Sequence, residues 1–325
     1  MARYKEVLTQ DPFNANVLEC EISYERGKEY GALTMRKVNG EKVDYAPILG
    51  TPKLSYPFDF GGNFHFPSAS EILCYRKYDG SNILAYRYWD AEGRPFISYK
   101  VRLWPHVRGI MVGMWKEMLA KHAGIRQLFA ENPDVSAFSF EMYGKRHVHL
   151  IRYDEELDVR LLFGLKRGGE IVNVRDIETD VPKAELLETV SGDYVWHYRQ
   201  QQEALEAQLK PLEGFDGVLT GEEGHVWHLR EKRTGQWRLL KCKPASIEAI
   251  HWGNFPIPKL VLTATAKNIL EVSDQITEED FEAYLAEEYS EHQIAASKER
   301  MLKVMARLNQ RAAHRAAMKA KWGGK

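Results

Sequence analysis

Along most of the chain, apolar residues come in short runs divided by turn signals rather than at helical spacing. Ile72-Leu73-Cys74-Tyr75 and Ile83-Leu84-Ala85-Tyr86 flank the polar stretch Arg76-Lys77-Tyr78-Asp79-Gly80-Ser81-Asn82. Short, aromatic-rich runs broken at Asp-Gly-Ser-Asn predict two strands joined by a tight turn. Further strands are expected over 31–38, 96–103, 135–144, 147–153, 159–165 and 237–244. Helical spacing appears over 107–130, where Ile110, Met114, Met118, Leu119, Ile125 and Leu128 recur before Asn132-Pro133-Asp134 closes the segment. The polar segment 180–210 reads as a surface helix. Residues 1–70, broken by prolines and glycines from Pro47 to Pro67, read as a scaffold layer.

The pattern changes near the C-terminus. Thr277-Glu278-Glu279-Asp280 is a capping-box-like helix start. Charged side chains from Glu271 to His292 are acidic, whereas Lys298, Arg300, Lys303, Arg307, Arg311, Arg315, Lys319 and Lys321 make the last stretch basic. Met301, Leu302, Met305 and Leu308 lie at helical spacing within it. Two or more helices are expected here. Their opposite charges fit pairing with one another, an RNA-contacting surface, or both.

Composition narrows the class. The chain has 325 residues, 44% of them hydrophobic, enough for a sizeable core and roughly two domains. The formal net charge of −1 does not announce a nucleic-acid partner. Cys20, Cys74 and Cys242 form no Cys-x-x-Cys pair, which argues against a zinc site or a disulfide framework. The polar start lacks the character of a signal peptide, and no apolar run approaches a membrane span. A cytoplasmic protein without a membrane or an inferred protein partner is expected.

Several residues carry candidate chemistry. Lys77 would stand at a strand end beside a tight turn, a rigid setting that suits a nucleophile, although an amine must first be activated by desolvation or nearby cations. Glu141 lies in an otherwise apolar strand, and a buried carboxylate needs a partner, either an arginine or a polar pocket. Lys100 and Arg102 share a strand face, as do Lys241 and Lys243. Each pair fits phosphate contacts or a solvated edge. His147 and His149 share another face, but with no third ligand nearby they read as strand surface rather than a metal site. Phe163 reads as core. Glu213-Gly214 and Asp216-Gly217 are two acid-glycine pairs three positions apart, so in an extended strand only one acid can aim into a given pocket.

Taken in order, Lys77-x-Asp79-Gly80, the strand around Glu141, the acid-glycine segment at 213–218 and Lys241-x-Lys243 resemble the motifs of the covalent nucleotidyltransferases. These are the ATP- and NAD-dependent polynucleotide ligases and the mRNA capping enzymes. The resemblance covers about residues 70–245. It implies an α+β fold, with a nucleotidyltransferase (adenylation) domain of mostly antiparallel sheets flanked by helices over 1–250 and a small all-helical domain over 251–325. Asn82, completing Lys-x-x-Gly-x-Asn, and the lack of a strand-rich segment after 250 resemble the RNA ligases in particular.

That resemblance implies an ATP-dependent ligase of RNA repair. It would join 5′-phosphate and 3′-hydroxyl ends through lysyl-AMP on Lys77 and an adenylated RNA 5′ end. Lys241 and Lys243 would hold phosphates and, with the metal, help supply the neutral amine. Asp79, Gly80, Asn82 and Arg102 would belong to the nucleotide site, with Glu141 at the ribose and Phe163 on the base. Glu213 or Asp216 would hold Mg²⁺ or Mn²⁺. A DNA nick ligase, a capping guanylyltransferase and a non-catalytic RNA-binding protein on the same fold remain open alternatives.

Overall fold

The computed structural model describes residues 4–322 except 26, 28, 60, 61, 148, 214–217, 247–255, 258, 287 and 288, and except the side chains of 260, 271, 272 and 315–322. It divides into two compact units, one of residues 1–107 and 114–245, the other of 108–113 and 246–325.

The first unit is built on antiparallel sheets. Its strands are β1 (Tyr4–Gln10), β2 (Val17–Ser23), β3 (Leu33–Val38), β4 (Glu41–Lys42), β5 (Ala69–Lys77), β6 (Ser81–Trp89), β7 (Pro95–Lys100), β8 (Ala137–Tyr143), β9 (Asp158–Leu165), β10 (Ile171–Asn173), β11 (Leu186–Thr189), β12 (Lys210–Pro211), β13 (Leu219–Thr220), β14 (Gly224–Glu231) and β15 (Trp237–Cys242). The first four form a meander. Two larger sheets follow, ordered β10-β9-β8-β6-β7 and β11-β5-β14-β15, with β12 and β13 as a separate pair. Helices α1 (Ile110–Lys121), α2 (Leu128–Glu131) and α3 (Tyr194–Gln208) accompany them. The α+β architecture expected from the sequence is the one observed.

The two larger sheets face each other across buried polar contacts. The Tyr75 hydroxyl on β5 donates to Asn173 Oδ1 on β10 at 2.8 Å, and Asn173 Nδ2 lies 3.0 Å from His228 Nδ1 on β14. Burial pushes the His228 imidazole down to about 3, so its neutral ring can accept that hydrogen bond. Behind β5, β14 and β15, an apolar layer of Cys74, Trp227, Leu229, Leu240 and Cys242 packs with Tyr198 and Leu205 of α3. Asp193 starts that helix by accepting the Trp196 amide at 3.0 Å.

Several expected elements differ in detail. The helix expected over 107–130 breaks after Lys121 into a 3₁₀ turn, Ala123–Arg126, before α2. The described residues of the segment 147–153 form no strand, only an isolated bridge from Ile151 to Leu219. Lys145–His147 is a 3₁₀ turn, and His147 is buried. Its Nε2 lies 2.8 Å from Ser81 Oγ and 3.1 Å from His149 Nε2. The segment 180–210 holds β11 as well as α3.

The second unit is helical: α4 (Lys259–Val272), α5 (Glu278–Leu285) and α6 (Glu291–Trp322). Thr277 Oγ1 accepts the Asp280 amide at 3.0 Å, the expected cap. Leu262, Ala266 and Ile269 of α4 join Phe281 and Leu285 of α5 and Ile294, Met301, Val304 and Leu308 of α6 in one core. Lys298 of α6 pairs with Glu278 and, at 3.0 Å, with Glu282, so the acidic and basic segments do meet there. No helix among the described residues is long and apolar enough to cross a membrane.

Candidate active site

Strand register gathers the candidate residues. Lys77 closes β5 and pairs with Gly224, which opens β14. On β15, Lys241 pairs with Val226 of β14. Gly224 permits this convergence, since a Cβ there would stand 2.3 Å from the Cys242 carbonyl oxygen. Immediately before it, the Glu223 carboxylate takes a charge-assisted bond on each oxygen: Lys77 Nζ at 2.5 Å on Oε2, and Lys243 Nζ at 3.0 Å on Oε1. Glu223 is 6% exposed. Burial works against its charge, but Lys77 and Lys243 hold the carboxyl down at about 2.

The acid beside the lysine is therefore Glu223, a residue the motif comparison passed over. Glu213 is exposed on the turn after β12. Asp216 lies outside the described residues. The signal for Glu223 was present in the sequence. Glu223-Gly224-His225-Val226 is a third acid-glycine pair, and it leads directly into the strand that runs beside the lysine strand.

The facing sheet supplies the other wall. Asn82, Glu141 and Arg160 form one cross-strand row over β6, β8 and β9. Asn82 Oδ1 accepts from Thr51 at 2.7 Å, while its Nδ2 donates to Ser139 Oγ at 2.9 Å and the Phe140 carbonyl at 3.0 Å. Burial pushes Glu141 up to about 8. Lys77 opposes that shift, and Glu223 and Asp79 reinforce it. Among the described residues, Lys77 and Asn82 are the groups that favour its charged form, and no arginine is among them. Phe163 registers with Ser139 and Asn173 and is 4% exposed.

Asp79 and Gly80 shape the turn that carries Lys77. One Asp79 oxygen accepts the amides of Leu150 and Ile151, each at 2.6 Å, while the Asp79 amide donates to the Tyr153 hydroxyl at 2.7 Å. Burial and the nearby Glu223 push the Asp79 carboxyl upward. Gly80 lies against β8, where a Cβ would stand 2.1 Å from the Met142 carbonyl oxygen. A larger residue would pry the turn from the sheet.

Lys241 is buried, with Nζ 4.5 Å from the centre of the Tyr56 ring. Arg102 is placed elsewhere. β7 ends at Lys100, and Arg102 falls in the following turn, packed on Gly31. The expected two-cation strand face is replaced by a wholly buried Lys100 that donates to the Gly31 and Arg102 carbonyls, both at 2.9 Å. Burial lowers this lysine to about 7.

The donor set bears on a metal. Among the described residues, no group of three or more His, Cys, Asp or Glu side chains could hold an ion. Glu223 bonds the Lys77 ammonium, and the Glu141 carboxyl lies within electrostatic reach of it. So few oxygen donors suit a hard cation that substrate phosphates also coordinate, and not one caged by protein alone.

Known proteins resemble the chain in structure rather than in sequence. No family model matches it, and no curated protein does. Among solved structures, form 1 of an archaeal ATP-dependent RNA ligase covers 95% of this chain and 75% of its own, at 14% identity and TM-score 0.52. Form 2 covers 95% and 74%, at 12% identity and TM-score 0.52. A putative ATP-dependent DNA ligase from Aquifex aeolicus covers 98% and 77%, at 13% identity and TM-score 0.49. At such identities the likeness is one of fold: this chain has the nucleotidyltransferase fold of ATP-dependent ligases.

Proposed function

We propose that this chain is an ATP-dependent RNA ligase that works through a covalent adenylate on Lys77. The observation that carries the reading is the Lys77–Glu223–Lys243 constellation, at 2.5 and 3.0 Å, on adjoining strand ends. A nucleophile, an acid and a cation stand together there on a rigid sheet.

The amine attacks only as its free base, so the Lys77–Glu223 pair must open on the way to the adduct. Lys77 Nζ forms a bond to the α-phosphorus of ATP as pyrophosphate leaves. AMP then passes to an RNA 5′-phosphate. A 3′-hydroxyl attacks that phosphate, AMP departs, and the strand is sealed. Lys243 and Lys241 lie on the face where phosphate charge develops, and preorganised cations of this kind lower such barriers. Mg²⁺ or Mn²⁺, when bound by Glu223 and Glu141, would supply further charge compensation. The Asp79 and Asn82 networks fix the wall on which ATP would rest.

The helical second unit favours RNA over DNA. After β15 the described residues contain helices and no strand, unlike the β-barrel that the DNA-ligase alternative would carry. Arg300, Lys303, Arg307 and Arg311 are exposed along α6, and their spacing of three, four and four aligns them on one side. A stripe of cations suits an RNA backbone.

The test is sealing of nicked, looped and single-stranded RNA, and of matched DNA, with ATP, GTP or NAD. ATP-dependent joining of RNA supports the proposal. Joining of DNA alone would mark a DNA ligase, and GTP labelling without joining would mark a guanylyltransferase. RNA binding without labelling would mark a non-catalytic binder.

A further inference from the structure

Beyond the end of β5 a cleft of about 330 Å³ opens beside Lys77. Its aromatic wall is a tyrosine cluster. Ring centroids of Tyr78 and Tyr143 are 4.8 Å apart, and those of Tyr143 and Tyr153 are 4.7 Å apart. The Arg160 guanidinium lies 5.4 Å from the Tyr143 ring and 5.7 Å from the Tyr78 ring. It is fixed there by Asp158 at 2.6 Å and the Val159 carbonyl at 2.8 Å. On the opposite side Glu222 lies 3.2 Å from Arg76 and 3.5 Å from His225.

The charges on this lining cancel. Arg76, Lys77, Arg152 and Arg160 stand against Asp154, Glu155, Glu185 and Glu222. Arg76 is itself neutralised by Glu185, at 3.1 Å, and by Glu222. A triphosphate calls for an excess of cations, which this lining lacks. Tyrosine and guanidinium faces suit a flat base, and carboxylates accept bonds from sugar hydroxyls. Asn82, Glu141, Phe163, Lys241 and Lys243 do not line the cleft. It shares Lys77 with the cluster assigned to ATP, and its Arg160 and Tyr153 adjoin that cluster through Glu141 and Asp79.

We infer that this cleft binds the 3′-terminal nucleoside of the RNA strand whose hydroxyl is joined, with the base on the tyrosines and Glu222 accepting from the ribose. The inference rests on the ligase reading above. The hydroxyl end of a strand is its uncharged end, which matches a charge-balanced pocket. The 5′ end, bearing phosphates and AMP, does not. A carboxylate on the ribose would also let the pocket distinguish RNA from DNA, since the 2′-hydroxyl is what differs.

ATP also carries a nucleoside, so the test separates two steps. Glu222→Gln keeps the side-chain shape. Glu155→Trp fills the cleft from an exposed position and spares the fold. Each full-length variant is assayed for adduct formation with labelled ATP, and separately for sealing of a pre-adenylated RNA donor to acceptors ending in ribose or 2′-deoxyribose. The inference predicts adducts within about twofold of the unmodified protein. It predicts sealing at least about tenfold weaker, expressed in the KM for acceptor, as loss of a bond to a charged group implies. Glu222→Gln should also narrow the preference for ribose. Adduct formation that falls in step with sealing would assign the cleft to ATP instead, and unchanged sealing would show that it holds no substrate. An unmodified protein that neither labels nor seals would overturn the ligase reading itself, a result distinct from both.

Discussion

Lys77 and Glu223 meet at 2.5 Å because their strands pair with Lys77 opposite Gly224. The same carboxylate holds Lys243 at 3.0 Å. Replacing Glu223 by Gln leaves the partly buried Lys77 and the buried Lys243 without their shared counter-charge. Adenylate formation should fall about a hundredfold or more, the scale seen when one preorganised electrostatic contact is lost. Glu213→Gln, on an exposed turn, should remain close to the unmodified protein. Rates of label transfer from ATP to the two variants decide the assignment, and equal losses would contradict it.

Gly80 should tolerate no side chain. An alanine Cβ would meet the Met142 carbonyl oxygen at 2.1 Å and the Tyr143 Cβ at 3.0 Å. Forcing the turn outward should cost about 1–3 kcal/mol, as overpacking usually does. Gly113→Ala is the control, because a Cβ there meets nothing within 4 Å and alanine favours a helix. Urea unfolding should separate the two variants in opposite directions.

Glu141 should make the free protein less stable in mild alkali. Its folded value of about 8 exceeds the ordinary 4.5, so between them the native chain holds a proton that the unfolded chain has released. Stability from this group is therefore present at low pH and is lost as pH rises through that window. Melting temperatures of Glu141→Gln should decline less than those of the unmodified protein between about pH 5 and pH 9. Parallel curves would show that Glu141 is not held protonated.

The α6 stripe should act through counterion release. Arg300, Arg307 and Arg311 are exposed, and replacing all three with Ala should weaken binding to single-stranded RNA. The slope of log affinity against log salt should flatten by about 2, from roughly 0.7 per neutralised phosphate. An unchanged slope would place the RNA elsewhere.

Much of this was legible in the chain because local patterning was strong. The strands β5 and β6 announced themselves through apolar runs around Asp79-Gly80, although they enter different sheets, and Thr277 through its cap. The helical core at Met301 and Leu308 followed from spacing. What stayed hidden depended on pairing between distant segments. Glu223 is singled out only when β14 is laid beside β5, a register that no local pattern encodes. His147 and His149 looked like strand residues, whereas burial and Ser81 hold His147 in a 3₁₀ turn and His149 lies beyond it, against the His147 ring. Lys100 read as a cation facing phosphates or solvent because alternation says nothing of a carbonyl such as that of Gly31 waiting to receive it.

The central claim is covalent chemistry at Lys77. The most direct measurement is incubation with α-labelled ATP and Mg²⁺, denaturing electrophoresis, and peptide mapping of the labelled site. The account predicts an alkali-stable, acid-labile label on Lys77 that pyrophosphate removes and that Lys77→Ala cannot form. A label on another residue, or an equal label on Lys77→Ala, would contradict it.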